Sequence, residues 1–243
     1  MTNEDTIIED LVAANRILAA QDVVDAFGHI SARHPQKRDR FLLACAKSPE
    51  LVEADDIMEF TLEGEATDAR GRKPYLERFI HGGLYEGRLD VQSVVHSHSR
   101  SVIPFGITAQ KLRPVVHSSG TIGNEVPVWD AQHSFGDTDL LISNIAMGRD
   151  FSRTLGMGNC ALMRGHGSTV VGESIREAVY TAYYLEVNAG LQLEASRLGD
   201  ITFLTSGEIE KVNHRLSQGK PGEGFNRFWE YWCHRAGVTS AGL

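Results

Sequence analysis

"PYLERFIHGGLYEGRLDVQSVVHSHS", residues 74–99, changes its hydrophobic period midway, and the fold reading turns on that change. Its first half spaces Leu76, Phe79, Ile80 and Leu84 as one face of a helix. Its second half is β-rich and ends in Val94-Val95-His96-Ser97-His98, two histidines either side of one serine. Along a strand, residues i and i+2 share a face, so His96 and His98 project side by side while Ser97 faces the other way. Two imidazoles on rigid backbone are a common start to a zinc or manganese site. Taken alone, the pattern fits two polar residues on a solvated strand edge equally well.

Outward from this stretch the chain alternates between the two periods. Residues 5–20 carry a helical stripe of Ile8, Leu11, Val12 and Leu18. Gly28 breaks it, and "GHISARHP" begins an alternating, strand-like segment. "DRFLLACAK" has strand length, and "EADDIMEFTLEGEAT" reads as a turn and a strand whose hairpin closes at Glu63-Gly64. Downstream, "SVIPFGI" ends the β run at Pro104 and "RPVVHSSG" reads as another strand. "TLGMGNCALMRGHGSTVVG" gives a strand, a turn at Gly165-His166-Gly167 and a further strand. "SIREAVYTAYYLEVNAGLQLEASRL" is a helix that Ser174 caps, with Glu177 expected to complete a capping box. Ser217 to Gly224 is rich in Gly, Pro and Lys, and the aromatic "FNRFWEYWCHRAGV" after it suggests packing between subunits or a lid. No repeat, low-complexity tract or long linker divides the chain. The expectation is one α/β domain over 1–243, a mixed or antiparallel sheet flanked by helices, with an aromatic tail over about 217–243.

Composition narrows the function classes. The 243 residues are 42% hydrophobic, enough for one substantial core, and no apolar run approaches the roughly 20 residues that span a bilayer. The first ten residues, "MTNEDTIIED", carry acids and no basic segment, unlike a secretory leader. A net charge of −8 argues against a nucleic-acid partner. Cys45, Cys160 and Cys233 form no C-x-x-C pair and leave an odd one over, which suits the cytoplasm better than a disulfide scaffold.

Two features outside the histidine pair strengthen the metal reading. "RGHGS" places His166 between glycines at an apparent strand end, where the backbone can turn sharply and leave room for a ligand. A third ligand distant in sequence is how catalytic metal sites are usually assembled, with one position open. Glu77, on the helix just before the pair, offers a carboxylate as fourth ligand or as an acid/base.

"GHIS", "PYLERFIHGGLYEGRLDVQSVVHSHS" and "GHGSTVVGESIREAVYTAYYLE" resemble, in order and spacing, the class II aldolase/adducin family over roughly residues 8–205. The resemblance implies a three-layer α/β/α fold with a largely antiparallel central sheet. It also implies a cyclic homotetramer with active sites between neighbouring subunits. It assigns one divalent metal to His96, His98 and His166, and an acid/base or fourth-ligand role to Glu77.

The chain departs from the sugar-phosphate members of that family where they cradle phosphate. Gly28 is followed by His29 rather than asparagine, and the second loop, "ACAKSPE", has Lys47 and Ser48 but no glycine. Two serines that usually precede the acid are replaced by Tyr75 and Leu76. Such a pocket suits a flat ring carrying a carboxylate better than a dianionic phosphate. The pattern is most similar to the branch that decarboxylates dihydroxyphthalate or hydroxypyridine-dicarboxylate. Manganese is then the implied metal, zinc being the ion of the aldolases, with iron or cobalt compatible with the same ligands.

On this reading the metal stabilises enolate-like charge as carbon dioxide leaves, and Arg78 or Lys47, with Ser48, Gly28 and His29 nearby, holds a carboxylate that stays. Glu77 is the first candidate to protonate the ring, then His29 or His34. His81, four residues after Glu77, either bonds to the acid or supports the fold. His117 is read as structural before cleft-lining, His133 and His214 as surface residues, and Tyr183 and Tyr184 as packing, with one of them able to reach a neighbouring subunit's site. The rival readings are a sugar-phosphate aldolase or epimerase and a non-catalytic, adducin-like interaction module.

Overall fold

The computed structural model describes residues 3–218 and 223–239. Helix α1 (Asn3–Ala20) leads into strands β1 (His29–Arg33), β2 (Arg40–Ala44) and β3 (Ile57–Thr61), then α2 (Arg78–Gly87) and β4 (Ser93–Ser97). A short α3 (Ile103–Gly106), β5 (Val128–Trp129), α4 (Ala131–Phe135) and α5 (Ile145–Leu155) precede the hairpin β6 (Cys160–Met163) and β7 (Gly167–Gly172). Helices α6 (Ile175–Ala195), α7 (Ser206–Leu216) and α8 (Asn226–Ala236) follow. Among these described residues no helix is long and apolar enough to cross a membrane. All three cysteines are free and buried.

The seven strands lie in the order β3-β2-β1-β4-β7-β6-β5, antiparallel throughout except for β5 against β6. Strand alternation divides their side chains between two cores. Ile30, Leu42, Ala44, Val95 and Val170 pack into the layer of α1, α6 and α8; Phe41, Leu43, Val94 and Val171 pack into the layer of α2 and α5. The expected three-layer architecture is the observed one. His96, two residues after Val94, therefore faces the α2 layer, the layer that carries Glu77 at its N-terminal cap.

Several local expectations need correction. "RPVVHSSG" is not a strand: His117–Ile122 is a 3-10 turn. The amides of Asn188 and Gln192, one turn apart on α6, pair with the backbone of residues 111–115 and so substitute for a neighbouring strand. Pro104 does not merely end a β run but sits in the first turn of α3. Ser174 caps α6 as expected, yet Glu177 reaches back to the Glu173 amide rather than to that of Ser174. The described part of the aromatic tail packs against its own chain. Residues 226–236 form α8, whose Trp229 and Trp232 are buried and whose rings interlock with Tyr180 and Tyr183 of α6. Residues 219–222 and 240–243 of that tail lie outside the described residues.

Candidate metal centre

Four side chains from three parts of the chain converge beside the end of β4. His96 is the penultimate residue of that strand, and His98 follows just beyond it. His166 occupies the β6–β7 turn, where Gly165 takes φ +67° and a Cβ at Gly167 would stand 2.2 Å from the Ser97 carbonyl oxygen. The two glycines thus press the turn against β4 and bring the third imidazole in. Glu77 arrives from the cap of α2, and its Oε1 accepts a hydrogen bond from the Ile142 amide at 3.1 Å. One ligand atom from each of the four residues lies within 4.8 Å of every other.

The hydrogen bonds fix which nitrogens are free. His96 Nδ1 donates to the Ser168 carbonyl at 3.1 Å, and His166 Nδ1 donates to the Leu140 carbonyl at 2.9 Å. In its neutral form each ring therefore presents Nε2 as a lone pair, and in its protonated form it donates from Nε2 to Glu77. His98 Nε2 lies 3.2 Å from His96 Nε2 and 2.8 Å from His166 Nε2. A proton on His98 could serve one of these neighbours but not both, so at least one pair of lone pairs would face each other. Glu77 Oε2 stands 3.5 Å from His96 Nε2 and 3.4 Å from His166 Nε2. Ligands about 2.0–2.1 Å from a tetrahedral ion lie about 3.4 Å apart, so this donor set fits one divalent cation.

The electrostatics point the same way. Burial raises the Glu77 carboxyl, but the His96 charge and hydrogen bonds from His166 and His96 outweigh it and hold the group far below the usual carboxylate range. Burial and the neighbouring His96 and His166 depress His98 to about 4. For His166 burial works downward, yet the bond to Glu77 prevails and its pKa is raised.

His29 lies directly across from His96 in the β1–β4 pairing, with ring centroids 5.1 Å apart, and its ring packs 4.6 Å from that of Tyr75. Gly28 takes φ +95° where a Cβ would meet Val24 and the His96 carbonyl, so its glycine serves close strand approach. Lys47 pairs with Asp56 at 2.6 Å, and Tyr75 donates to the Lys47 carbonyl, which seats the loop of Lys47 and Ser48 behind the Tyr75 ring. Arg78 is held elsewhere. Its guanidinium donates to the carbonyls of Gly64 and Tyr75 and lies over Phe79, and Gly64 belongs to the turn after β3, the sheet edge three strands from β4. His34 follows the opposite end of β1, with Nε2 between Glu4 and Glu59, and so cannot supply a proton at the cluster. His117, His133 and His214 are exposed.

Two features escape a reading of residues one at a time. Phe27 is 66% exposed with its ring 6.2 Å from that of His98, an apolar plane at the mouth of the cluster. Behind His29 runs a polar chain: His29 Nδ1 to His81 Nε2 at 2.7 Å, His81 Nδ1 to Ser31 Oγ at 2.6 Å, and Ser31 Oγ to the Tyr85 hydroxyl at 2.8 Å. His81 therefore bonds to His29 and not to Glu77. Burial, then neighbouring histidine charge, pushes His81 down to about 3 and His29 well below the usual histidine value. The signal was a match of periods. Glu77, His81 and Tyr85 recur every four residues on α2, about 6 Å of rise, and His29 and Ser31 every two on β1, about 6.8 Å.

An antiparallel α/β/α sandwich with three imidazoles and a carboxylate at a sheet end defines a class of metal-site lyases and their non-catalytic kin. The chain belongs to one family of that class: residues 9–193 match the Class II Aldolase and Adducin N-terminal domain. It is 37% identical to Decarboxylase tropJ of Talaromyces stipitatus, across 97% of this chain and 95% of that protein. It is 28% identical to 3,4-dihydroxyphthalate decarboxylase of Arthrobacter keyseri, across 79% of each. In fold it resembles an aldolase II superfamily protein from Pseudomonas syringae with a TM-score of 0.79 at 21% identity, covering 97% of this chain and 94% of that one. Family and decarboxylase relatives together support an enzyme of lyase type.

Proposed function

We propose that the chain is a metal-dependent decarboxylase of a hydroxylated aromatic or pyridine dicarboxylic acid. The observation that carries this reading is the likeness to a decarboxylase over nearly the whole chain. His96, His98 and His166 would hold the cation, with Glu77 beside it. When bound, the ion supplies positive charge that stabilises the electron pair left by the broken carbon–carbon bond. Manganese is the first expectation and zinc the second; the donor set also accepts iron or cobalt.

Glu77 is ionised at rest and shuttles the proton. As carboxylate it takes the proton of a ring hydroxyl; as acid it returns that proton to the ring carbon that carbon dioxide has left. Protons balance over the two transfers. Phe27 and the Tyr75 ring offer flat apolar faces to an aromatic substrate. The carboxylate that stays is met by His29, with Lys47, Ser48 and Gly28 as further candidates; Lys47 is paired with Asp56, and Arg78 is engaged with backbone carbonyls. The reading takes residues 1–243 as one catalytic domain in a cytoplasmic homotetramer with sites between subunits, which sedimentation would test.

The rival reading is a sugar-phosphate aldolase or epimerase. The test is elemental analysis of the purified protein together with carbon dioxide release from a panel of hydroxylated aromatic diacids. Release from a diacid with an adjacent hydroxyl is expected. Tight binding of a phosphorylated ketose with no release from any diacid would overturn the decarboxylase reading. The adducin-like module would bind no metal and turn over neither class.

A further inference from the structure

The polar chain behind His29 has a direction, set by its buried end. Tyr85 is fully buried, and among the described residues its hydroxyl has one hydrogen-bond partner, Ser31 Oγ. A buried hydroxyl proton left without an acceptor forfeits its solvation with nothing in return, so Tyr85 donates to Ser31. Ser31 has one proton and now accepts from Tyr85, so it donates to His81 Nδ1. His81 then carries its proton on Nε2 and donates it to His29 Nδ1. His29, accepting at Nδ1, holds its own proton on Nε2. The reverse order would leave Tyr85 donating to nothing.

The chain is a lock and not a wire. It stops at Tyr85, which is 0% exposed, with the Arg33 guanidinium 4.8 Å from its ring centroid and the Phe41 ring 5.5 Å away. No proton enters or leaves from that end. We propose that Tyr85, Ser31 and His81 are positioning residues that fix His29 as a neutral imidazole with its proton on Nε2. His29 thereby becomes a permanent hydrogen-bond donor to an anionic oxygen of the substrate rather than the proton source. The lock stands on the hydrogen bonds alone, while the anionic oxygen rests on the decarboxylase reading. The task of returning a proton falls to Glu77, and a substrate offering a donor at this place is refused because His29 has no lone pair to accept it.

Long-range proton–nitrogen correlation on full-length, zinc-loaded protein labelled with nitrogen-15 histidine reads the tautomers directly. His29 and His81 are both expected with the proton on Nε2 in the wild type. Tyr85→Phe removes the terminal donor and should move His29 toward a mixture of tautomers with zinc content unchanged. It should also raise KM for the diacid about tenfold while changing kcat less than KM, the loss of one hydrogen bond to a charged group. Ser31→Ala should match it, and Ser31→Thr should restore the wild-type values. A wild-type His29 with its proton on Nδ1, or a Tyr85→Phe spectrum identical to wild type, overturns the lock. Expected tautomers with an unchanged KM overturn the donor role. Expected tautomers with no diacid turned over leave the lock standing and overturn the decarboxylase reading instead.

Discussion

The molecule holds two groups of histidines within one ring's width of each other, and they are built on opposite principles. In the cluster of His96, His98 and His166, three Nε2 atoms converge on one space and no assignment of protons satisfies them all. In the chain of His29, His81, Ser31 and Tyr85, each of the three internal contacts pairs one proton with one acceptor, and only the outward proton on His29 Nε2 is left over. Residue type does not separate the groups, nor does burial, since His96 and His81 are both almost wholly enclosed. What separates them is complementarity: frustrated lone pairs call for a cation, and a satisfied chain fixes a geometry.

The largest expected effect comes from breaking the cluster. His96→Ala should abolish both metal content and carbon dioxide release, read by elemental analysis and a coupled assay. Retention of both would dismiss the cluster as a metal site. Glu77→Gln is less drastic: it should keep most of the metal while lowering kcat by ~10²–10⁴, the usual share of an acid/base group.

Acidification sharpens the contrast further. A cation must displace the proton of His166, whose pKa Glu77 holds above the ordinary histidine value in the metal-free protein. Metal affinity should therefore weaken about tenfold per pH unit below that raised pKa, beginning at a higher pH than for an unperturbed histidine. Competition with a metal-binding dye across pH measures the onset, and Glu77→Gln should move it downward.

The smallest effects are on stability, and they should differ in sign between the groups. His81→Leu strands the Ser31 hydroxyl and His29, and should cost about 1–3 kcal/mol in urea unfolding with metal content intact. His98→Leu, measured in the metal-free protein, removes a half-buried base held down to about 4 and should stabilise by about 0.5–2 kcal/mol. Equal losses at both positions would erase the distinction between the two groups.

The wild-type pH trend follows from the same shifts. His29, His81 and His98 bind protons less readily folded than unfolded, so their contribution is present above the ordinary histidine pKa and fades as the pH falls below it. Glu77 adds to the loss at lower pH, while His166 and the buried Glu177 carboxyl oppose it by their raised pKa values. The melting temperature of the metal-free protein should therefore drop on acidification from pH 8 to 5.

Residues 74–99 alone carried the switch from helix to strand, the shared face of His96 and His98, and the carboxylate one element upstream. Those features are local, because helical and strand periods are properties of a few consecutive residues. Three things were not local. "RPVVHSSG" has strand composition, but its partners are two amides on a helix some 75 residues away, and no window of sequence contains that pairing. The sequence reading assigns nothing to α5 or α7, although Asn144 and Thr205 cap them in plain view. Arg78 stands beside the acid in sequence, yet a helix start sends adjacent side chains in different directions, and its guanidinium went to the sheet edge.

The sequence by itself determined the kind of donors and the elements that bear them. Only the tertiary structure decided what each donor meets. It set His29 opposite His96 through the β1–β4 register, laid α2 so that His81 falls between His29 and Ser31, and turned three lone pairs onto one point. A one-residue slip in that register would carry every side chain of β1 to the other face. Proton direction in a buried chain is likewise a property of its ends, and the end at Tyr85 is 56 residues from His29 along the chain and three hydrogen bonds away in space.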